Sequence, residues 1–339
     1  MIGTVLASAL LIGSDPGSLP ALQSQPQQTP PAATQADPDQ ITLEGIDVVG
    51  RPLDELIRGY VNEVARPNNG RSLARWDAPV CVGVANLQRE TAEYLADRIS
   101  TVADDLGLRV GDAGCVPNLL VVATADGAGM AQELAEQHSR TLRPGGAGMD
   151  AGTSAFREFQ TADRPVRWWQ VVLPTDSETG NAAVRIPGEC YGMCVGDGSA
   201  FDYAPKTYVF AASRLSTQIV ENIIRTVVIV DVDDVAGLTA LQLADYIAMV
   251  TLAQVDPEAE IGTYASILNV FDNPAAADSL TNWDLAYLQG LYASERSAAN
   301  VRANHAEVAD TIEEAHRRLR REAEEAEEEP TSDGQGASN

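Results

Sequence analysis

Residues 241–253 read LQLADYIAMVTLA, and this stretch is apolar on nearly every side of a helix. A helix that is apolar all round is stable only when neighbouring elements surround it. Thr239 followed by Gln242 is typical of a capping box, which indicates where the helix begins. The stretch therefore predicts a buried helix at the centre of a globular domain.

The residues around this helix predict an α+β fold. Segments rich in β-branched residues predict strands, and segments with helical apolar spacing predict helices. The predicted strands are 75–87, 118–124, 166–173, 207–212 and 227–232, and the predicted helices are 53–64, 88–106, 130–138, 217–225, 241–253 and one from 281 to 292. We expect a twisted mixed sheet of four or five strands with helices 88–106 and 241–253 packed on one face.

The two ends of the chain predict extended segments that flank one domain at residues 41–292. Residues 1–13 resemble the apolar core of a secretory signal peptide but lack its basic start, so a buried strand is the alternative. Residues 14–40 are rich in Pro, Gln and Ala, which indicates a disordered linker. Residues 293–339 predict a charged helix and an acidic disordered tail. We expect an exported protein of the periplasm or envelope, without a transmembrane span.

The net charge of the chain limits the classes of partner that it can bind. It contains 23 Lys plus Arg and 49 Asp plus Glu, for a formal net charge of -26. Nucleic-acid binding requires clustered Lys and Arg, so DNA and RNA are excluded as expected partners. The same balance disfavours an anionic membrane surface.

Four cysteines indicate disulfides in an oxidising compartment, with free buried thiols as the alternative. Cys81 lies on the first strand and Cys115 just precedes a strand expected beside it. Cys190 and Cys194 lie in one loop. We therefore predict the pairs Cys81–Cys115 and Cys190–Cys194. A zinc site is less favoured, because the three histidines are distant in sequence from these cysteines.

Three segments together resemble the zincin metallopeptidases, especially the metzincin branch. They are RWDAPV at 75–80, the buried helix at 241–253, and SILN at 266–269 followed by LTNWD at 280–284. Their order also resembles that of a proteobacterial family of uncharacterised, exported proteins. The resemblance implies a zincin-like twisted sheet with the 241–253 helix in the place of the zinc helix.

The same helix departs from the zincin pattern where the chemistry would be. Zincins carry His-Glu-x-x-His, in which the histidines bind zinc and the glutamate acts as general base. The equivalent stretch here is Gln242-Leu243-Ala244-Asp245-Tyr246, with Gln242 and Tyr246 in place of the two histidines, and no histidine lies between His138 and His305. We therefore predict no bound metal, no cofactor and no catalytic residue.

Five residues are the candidates for a residual cleft. Gln242, Asp245 and Tyr246 would face it from the helix; the alternatives are a helix cap, a buried ion pair with Arg75 or Arg214, and a core aromatic. Trp168 and Trp169 lie on a predicted strand, which in zincins is an edge strand that pairs with extended substrate. Successive side chains on a strand point to opposite faces, so one of the two rings is expected in the core.

The predicted function is a non-catalytic, degenerate peptidase-like scaffold that binds a protein or peptide in the cell envelope. One alternative is an active hydrolase with an atypical site. Another is a structural envelope protein that self-associates through its C-terminal helix. The acidic run at 231–234 lacks the Gly and distal Glu of a calcium loop, so a solvated strand end is favoured there.

Overall fold

A computed structural model describes residues 52–145, 148–186, 206, 216–296 and 301–328, all within one compact unit, Arg51–Asn339. The helices are α1 Leu53–Val64, α2 Arg89–Asp105, α3 Gly127–Gln137, α4 Ser139–Leu142, α5 Thr153–Thr161, α6 Ala240–Leu252, α7 Asn282–Ala293 and α8 Val301–Glu328. The strands are β1 Arg75–Trp76, β2 Val82–Ala85, β3 Leu119–Thr124, β4 Val166–Asp176 and β5 Ile219–Asp231. A single 3₁₀ turn covers Ile267–Asn269.

The strands form one five-stranded mixed sheet, which confirms the predicted α+β fold. Strand β5 pairs in parallel with β1 and β3, and β3 pairs in parallel with β2. Strand β4 runs antiparallel to β5 over the full length of both strands. Because β1 and β3 pair with successive parts of one side of β5, β4 occupies the other side, where it is the last strand among the described residues.

Helices cover both faces of the sheet. The larger core packs α1, α2, α6, α7 and α8 against residues such as Val121, Val228 and Val230. The smaller core packs α3, α4 and α5 against Trp169, Val227 and Ile229. Alternation along β5 divides its apolar side chains between the two cores. Helices α2 and α6 lie on the same face, as the sequence predicts.

Two local predictions are wrong. Residues 217–225, predicted as a helix, form the first part of β5, because their backbone pairs with β4 and their β-branched residues fill the sheet. The predicted strand at 75–87 is interrupted between Trp76 and Val82. Pro79 lies in this gap and has no N–H to donate to a strand ladder. The strand predicted at 207–212 lies outside the described residues.

The packed unit continues past Tyr292, where the sequence placed the end of the domain. Helix α8 buries Val308, Ala309, Ile312 and Ala315 against α1 and α7. A Cβ at Gly290 would lie 2.5 Å from the side chain of Ile312, so the missing side chain permits this close approach. The first half of α8 is therefore part of the core, and its charged residues line the outer face.

The predicted disulfide between Cys81 and Cys115 is present, with a Cα–Cα distance of 6.1 Å. It joins the residue before β2 to the loop before β3. Cys190 and Cys194 lie outside the described residues. Of the helices that the structure describes, none has both the length and the apolar character that a membrane crossing requires.

Candidate functional site

The polar residues of α6 are occupied by contacts within the domain. The Gln242 side chain accepts a hydrogen bond from the Thr239 N–H, which completes the predicted capping box. Its amide nitrogen donates to the carbonyl oxygens of Pro274 at 2.7 Å and Ala277 at 2.8 Å. Gln242 therefore ties the start of α6 to the loop that leads to α7.

Asp245 is fully buried and is bound by Arg98. The Arg98 Nε donates to one carboxylate oxygen at 2.6 Å, while its Nη2 and the Leu280 N–H donate to the other at 3.1 and 2.8 Å. The hydrogen bond to Asp245 raises the pKa of Arg98. The prediction that Arg75 pairs with Asp245 is wrong, since the Arg75 guanidinium donates to Ser294. The reason is that α2, and not β1, packs on this part of α6. The other expected partner, Arg214, lies outside the described residues.

Tyr246 is a core aromatic. Its ring packs edge-on against Phe271 at 4.8 Å and Trp168 at 6.3 Å between ring centroids. Burial raises the pKa of its hydroxyl far above the ordinary value. Gln242, Asp245 and Tyr246 thus lie on α6 as the sequence places them, and each is held by neighbours in the domain.

The segments around α7 follow the same pattern. The buried Asp284 carboxylate accepts hydrogen bonds from the Ser266 hydroxyl at 2.5 Å, the Ile267 N–H at 2.8 Å and the Thr281 N–H at 2.9 Å. Tyr60 on α1 donates to it at 3.1 Å. Burial raises the pKa of Asp284 although these donors oppose the shift. The SILN turn and the LTNWD segment therefore meet at a structural carboxylate.

No three His, Cys, Asp or Glu side chains converge on a metal-sized space in the described ranges. At the end of β5, an Asp231 carboxylate oxygen accepts a hydrogen bond from the Gly127 N–H at 3.0 Å. Asp231 thus caps the entry to α3.

The first half of β4 presents an open backbone edge. The Asp231 N–H donates to the Pro165 carbonyl, and the Thr226 N–H points away from β4 to Asn118. In an antiparallel pair, residues whose backbone groups bond to the partner strand alternate with residues whose backbone groups point away from it. Since Pro165 bonds to Asp231, the backbone groups of Val166, Trp168 and Gln170 point away from β5. No described residue forms a hydrogen bond with these outward groups.

The second half of β4 is covered. The Val172 N–H donates to the Met149 carbonyl, the Ala183 N–H donates to the Pro174 carbonyl, and Asp176 donates to Asn181. A β-bulge between Val171 and Val172 marks the change. The open edge therefore extends from Val166 to Gln170.

A groove of about 50 Å³ lies beside this edge, which is room for roughly one or two water molecules, so a peptide strand could enter only if the walls move apart. Helix α5 borders it with Glu158 and Phe159, and the segment after α6 borders it with Gln254 and Val255. The tandem tryptophans lie on opposite faces of β4. Trp169 is buried, and its indole N–H donates to the Leu142 carbonyl at 2.8 Å, whereas Trp168 is half-buried on the α6 face.

Ion pairs join the two sides of the groove. The Arg66 guanidinium contacts Glu158 on α5 at 3.2 Å and Asp256 after α6 at 3.0 Å. Arg164, which precedes β4, contacts Glu258 at 2.9 Å. These pairs are partly exposed to solvent, and they connect the walls without a backbone contact to β4.

The structure brings Trp168 and Trp169 to the groove and leaves Gln242 and Asp245 in the core. Nothing in the sequence singles out Arg66, Glu158, Arg164 or Gln254. They are far apart along the chain, and none belongs to a recognisable motif. The only signal was the tandem tryptophan on a predicted edge strand.

Comparisons with known proteins do not place the chain in a family. No protein-family model, no curated protein and no solved structure gives a significant match.

Proposed function

We propose that this protein is a non-catalytic scaffold that binds an extended segment of another protein in the cell envelope by adding it to the edge of β4. The observation that carries the proposal is the row of outward backbone groups at Val166, Trp168 and Gln170, beside a groove. An extended peptide can hydrogen-bond to such an edge through its main chain and place alternate side chains on the two faces.

The unpaired edge with its aromatic neighbours and the resemblance to zincins both support this proposal. Buried backbone polar groups in proteins are nearly always paired, so an unpaired edge lined by aromatic rings favours a strand-like ligand. The resemblance to zincins supports the same strand, since those enzymes align extended substrate along an edge strand. The positions that would hold zinc are Gln242 and Tyr246 here, which supports binding without hydrolysis.

The expected affinity is moderate. The three outward residues offer at most three N–H donors and three C=O acceptors, and each net hydrogen bond contributes about 0.5–1.5 kcal/mol. Ordering the peptide and opening the Arg66 ion pairs oppose part of this gain. We therefore expect micromolar binding that depends on side-chain contacts with Trp168 for its specificity.

The test begins with a randomised library of acetylated, amidated heptapeptides screened against the full chain. The best binder is then N-methylated at one amide at a time. Methylation should abolish binding at alternate amides and be tolerated at the amides between them, because only every second amide faces β4.

Trp168→Ala should weaken the same peptide, and Tyr94→Ala, an exposed aromatic on α2, is the matched control. An absence of binding peptides, or a methylation profile without a two-residue period, would contradict the proposed function.

A further inference from the structure

We propose that the segment bound at β4 carries an acidic side chain directly opposite Arg167. This inference rests on the proposed function, and it adds the chemical class of the ligand. It comes from the charges along the groove rather than from the backbone edge.

Three arginines line the groove of a strongly acidic chain. Arg66, Arg164 and Arg167 line it, and Glu158 is the only acidic residue among its lining residues. The chain as a whole has a formal net charge of -26. Arg66 and Arg164 are already paired with acidic residues of the domain, so Arg167 is the groove arginine that an anionic group could pair with.

Arg167 differs from the other two arginines because it forms no ion pair with the described residues. Its residue is 5% exposed, one guanidinium nitrogen donates to the Phe159 carbonyl at 3.2 Å, and its Nε is buried without a hydrogen-bond partner. Burial lowers the pKa of Arg167 because the charged form loses solvation, and the negative charge of Asp231 opposes this shift. Because the Nε is buried, a ligand carboxylate would have to pair with the end of the guanidinium, and it would add the ion pair that Arg167 lacks among the described residues.

Arg66 and Arg164 are less suited to this role. Arg66 already contacts Glu158 and Asp256, and Arg164 already contacts Glu258. A ligand carboxylate would have to displace these partners to pair with either arginine. Pairing with Arg167 displaces no carboxylate, so the gain in charge interaction is largest there.

The geometry of an added strand predicts a sequence pattern for the ligand. A residue opposite Arg167 in an added strand lies on the α5 face, the same face as the Arg167 side chain. Its two neighbours lie on the α6 face, where Trp168 offers a half-buried ring. The expected ligand therefore contains an acidic residue with an apolar residue beside it.

The experiment uses the same heptapeptide library with the full chain and reads the sequences of the enriched peptides. Enrichment of Asp or Glu at one position with an apolar neighbour is expected. Replacing that acid by Gln or Asn in the best peptide should weaken binding on the order of tenfold at low salt. The loss should shrink as NaCl is raised, because salt screens the pair.

Variants test the arginine itself. Arg167→Gln should remove the preference for the acidic peptide, and Arg167→Lys should retain part of it. Arg320→Gln is the matched control, since Arg320 carries the same charge on the exposed side of α8. If Arg167→Gln does not fold, replacing the acidic residue of the peptide by Gln or Asn still tests the inference, because that measurement uses the unchanged protein.

The outcomes separate the two proposals. Enriched peptides without an acidic position would overturn this inference and leave binding at β4 intact. A failure to enrich any peptide would overturn the proposed function, and this inference with it.

Discussion

Helix α6 and the edge of β4 lie on neighbouring parts of the larger core, yet they differ in how their polar groups are used. On α6, the side chains of Gln242 and Asp245 are bound by Pro274, Ala277, Arg98 and Leu280. On β4, the outward backbone groups of residues 166–170 have no partner in the described part of the chain. The polar side chains of α6 are bound within the domain, and the outer backbone edge of β4 is unpaired among the described residues.

This difference shows where binding capacity remains. A polar group that is already paired in the fold contributes to stability, and a ligand gains little by competing for it. An unpaired group at a groove offers a ligand an interaction that no described residue provides. Substitutions on α6 should therefore change stability, whereas substitutions at the edge should change binding.

The largest expected effect separates the two tryptophans of β4. Trp169→Ala should cost about 3–5 kcal/mol of unfolding free energy, because a large buried ring and its contacts with Phe156 and Phe159 are lost. Trp168→Ala should cost about 1–2 kcal/mol, since that ring is half-buried. Urea unfolding monitored by circular dichroism measures both. Equal losses of unfolding free energy in the two variants would contradict the assignment of Trp169 to the core and of Trp168 to a half-buried position.

The next effect tests the closed state of α6. Asp245→Ala should cost about 3 kcal/mol, because the Leu280 N–H and the guanidinium of Arg98 lose their acceptor. The value lies at the low end for a buried pair, since the Arg98 side chain is 30% exposed and can turn to water. Asp245→Asn keeps the shape and one acceptor and should cost less.

Peptide binding is the second measurement on the Asp245 variants. Folded Asp245→Asn should bind the selected peptide as the parent does. A variant of parental stability that has lost binding would instead make Asp245 a ligand residue.

The smallest effect concerns the ion pairs that join the walls of the groove. Arg66→Ala should cost no more than about 1 kcal/mol, because Arg66, Glu158 and Asp256 are all partly exposed. It should also raise peptide affinity, since the ligand no longer has to open these contacts. Arg317→Ala on α8, which removes a partly exposed pair with Glu313, is the control. A loss of affinity in Arg66→Ala would mean that Arg66 itself contacts the ligand.

Much of the architecture could be predicted from local patterns. The α6 helix and its capping box depend on residues three or four positions apart, and the strand at residues 166–173 depends on its own composition. The prediction of a helix at 217–225 is wrong because a mixed run such as IVENII fits both the helical and the strand periodicity. The pairing of this segment with β4 makes it a strand. That pairing is a long-range property.

The candidate site depends on long-range placement even more. The open edge exists because β4 takes the last position in the sheet, which its own residues do not specify. The partner of Asp245 was misassigned for the same reason, since Arg98 is 147 positions away in sequence. The tandem tryptophans were found because strand alternation alone assigns them to opposite faces.

The most direct test of the open edge is amide hydrogen exchange measured residue by residue on β4. The account predicts that the N–H groups of Trp168 and Gln170 exchange on the order of a hundredfold faster than those of Arg167 and Trp169, which point to β5. Addition of the selected peptide should then slow Trp168 and Gln170 and leave the other two unchanged. Equal protection of all four amides in the free protein would contradict the account, because it would mean that the edge of β4 is already paired.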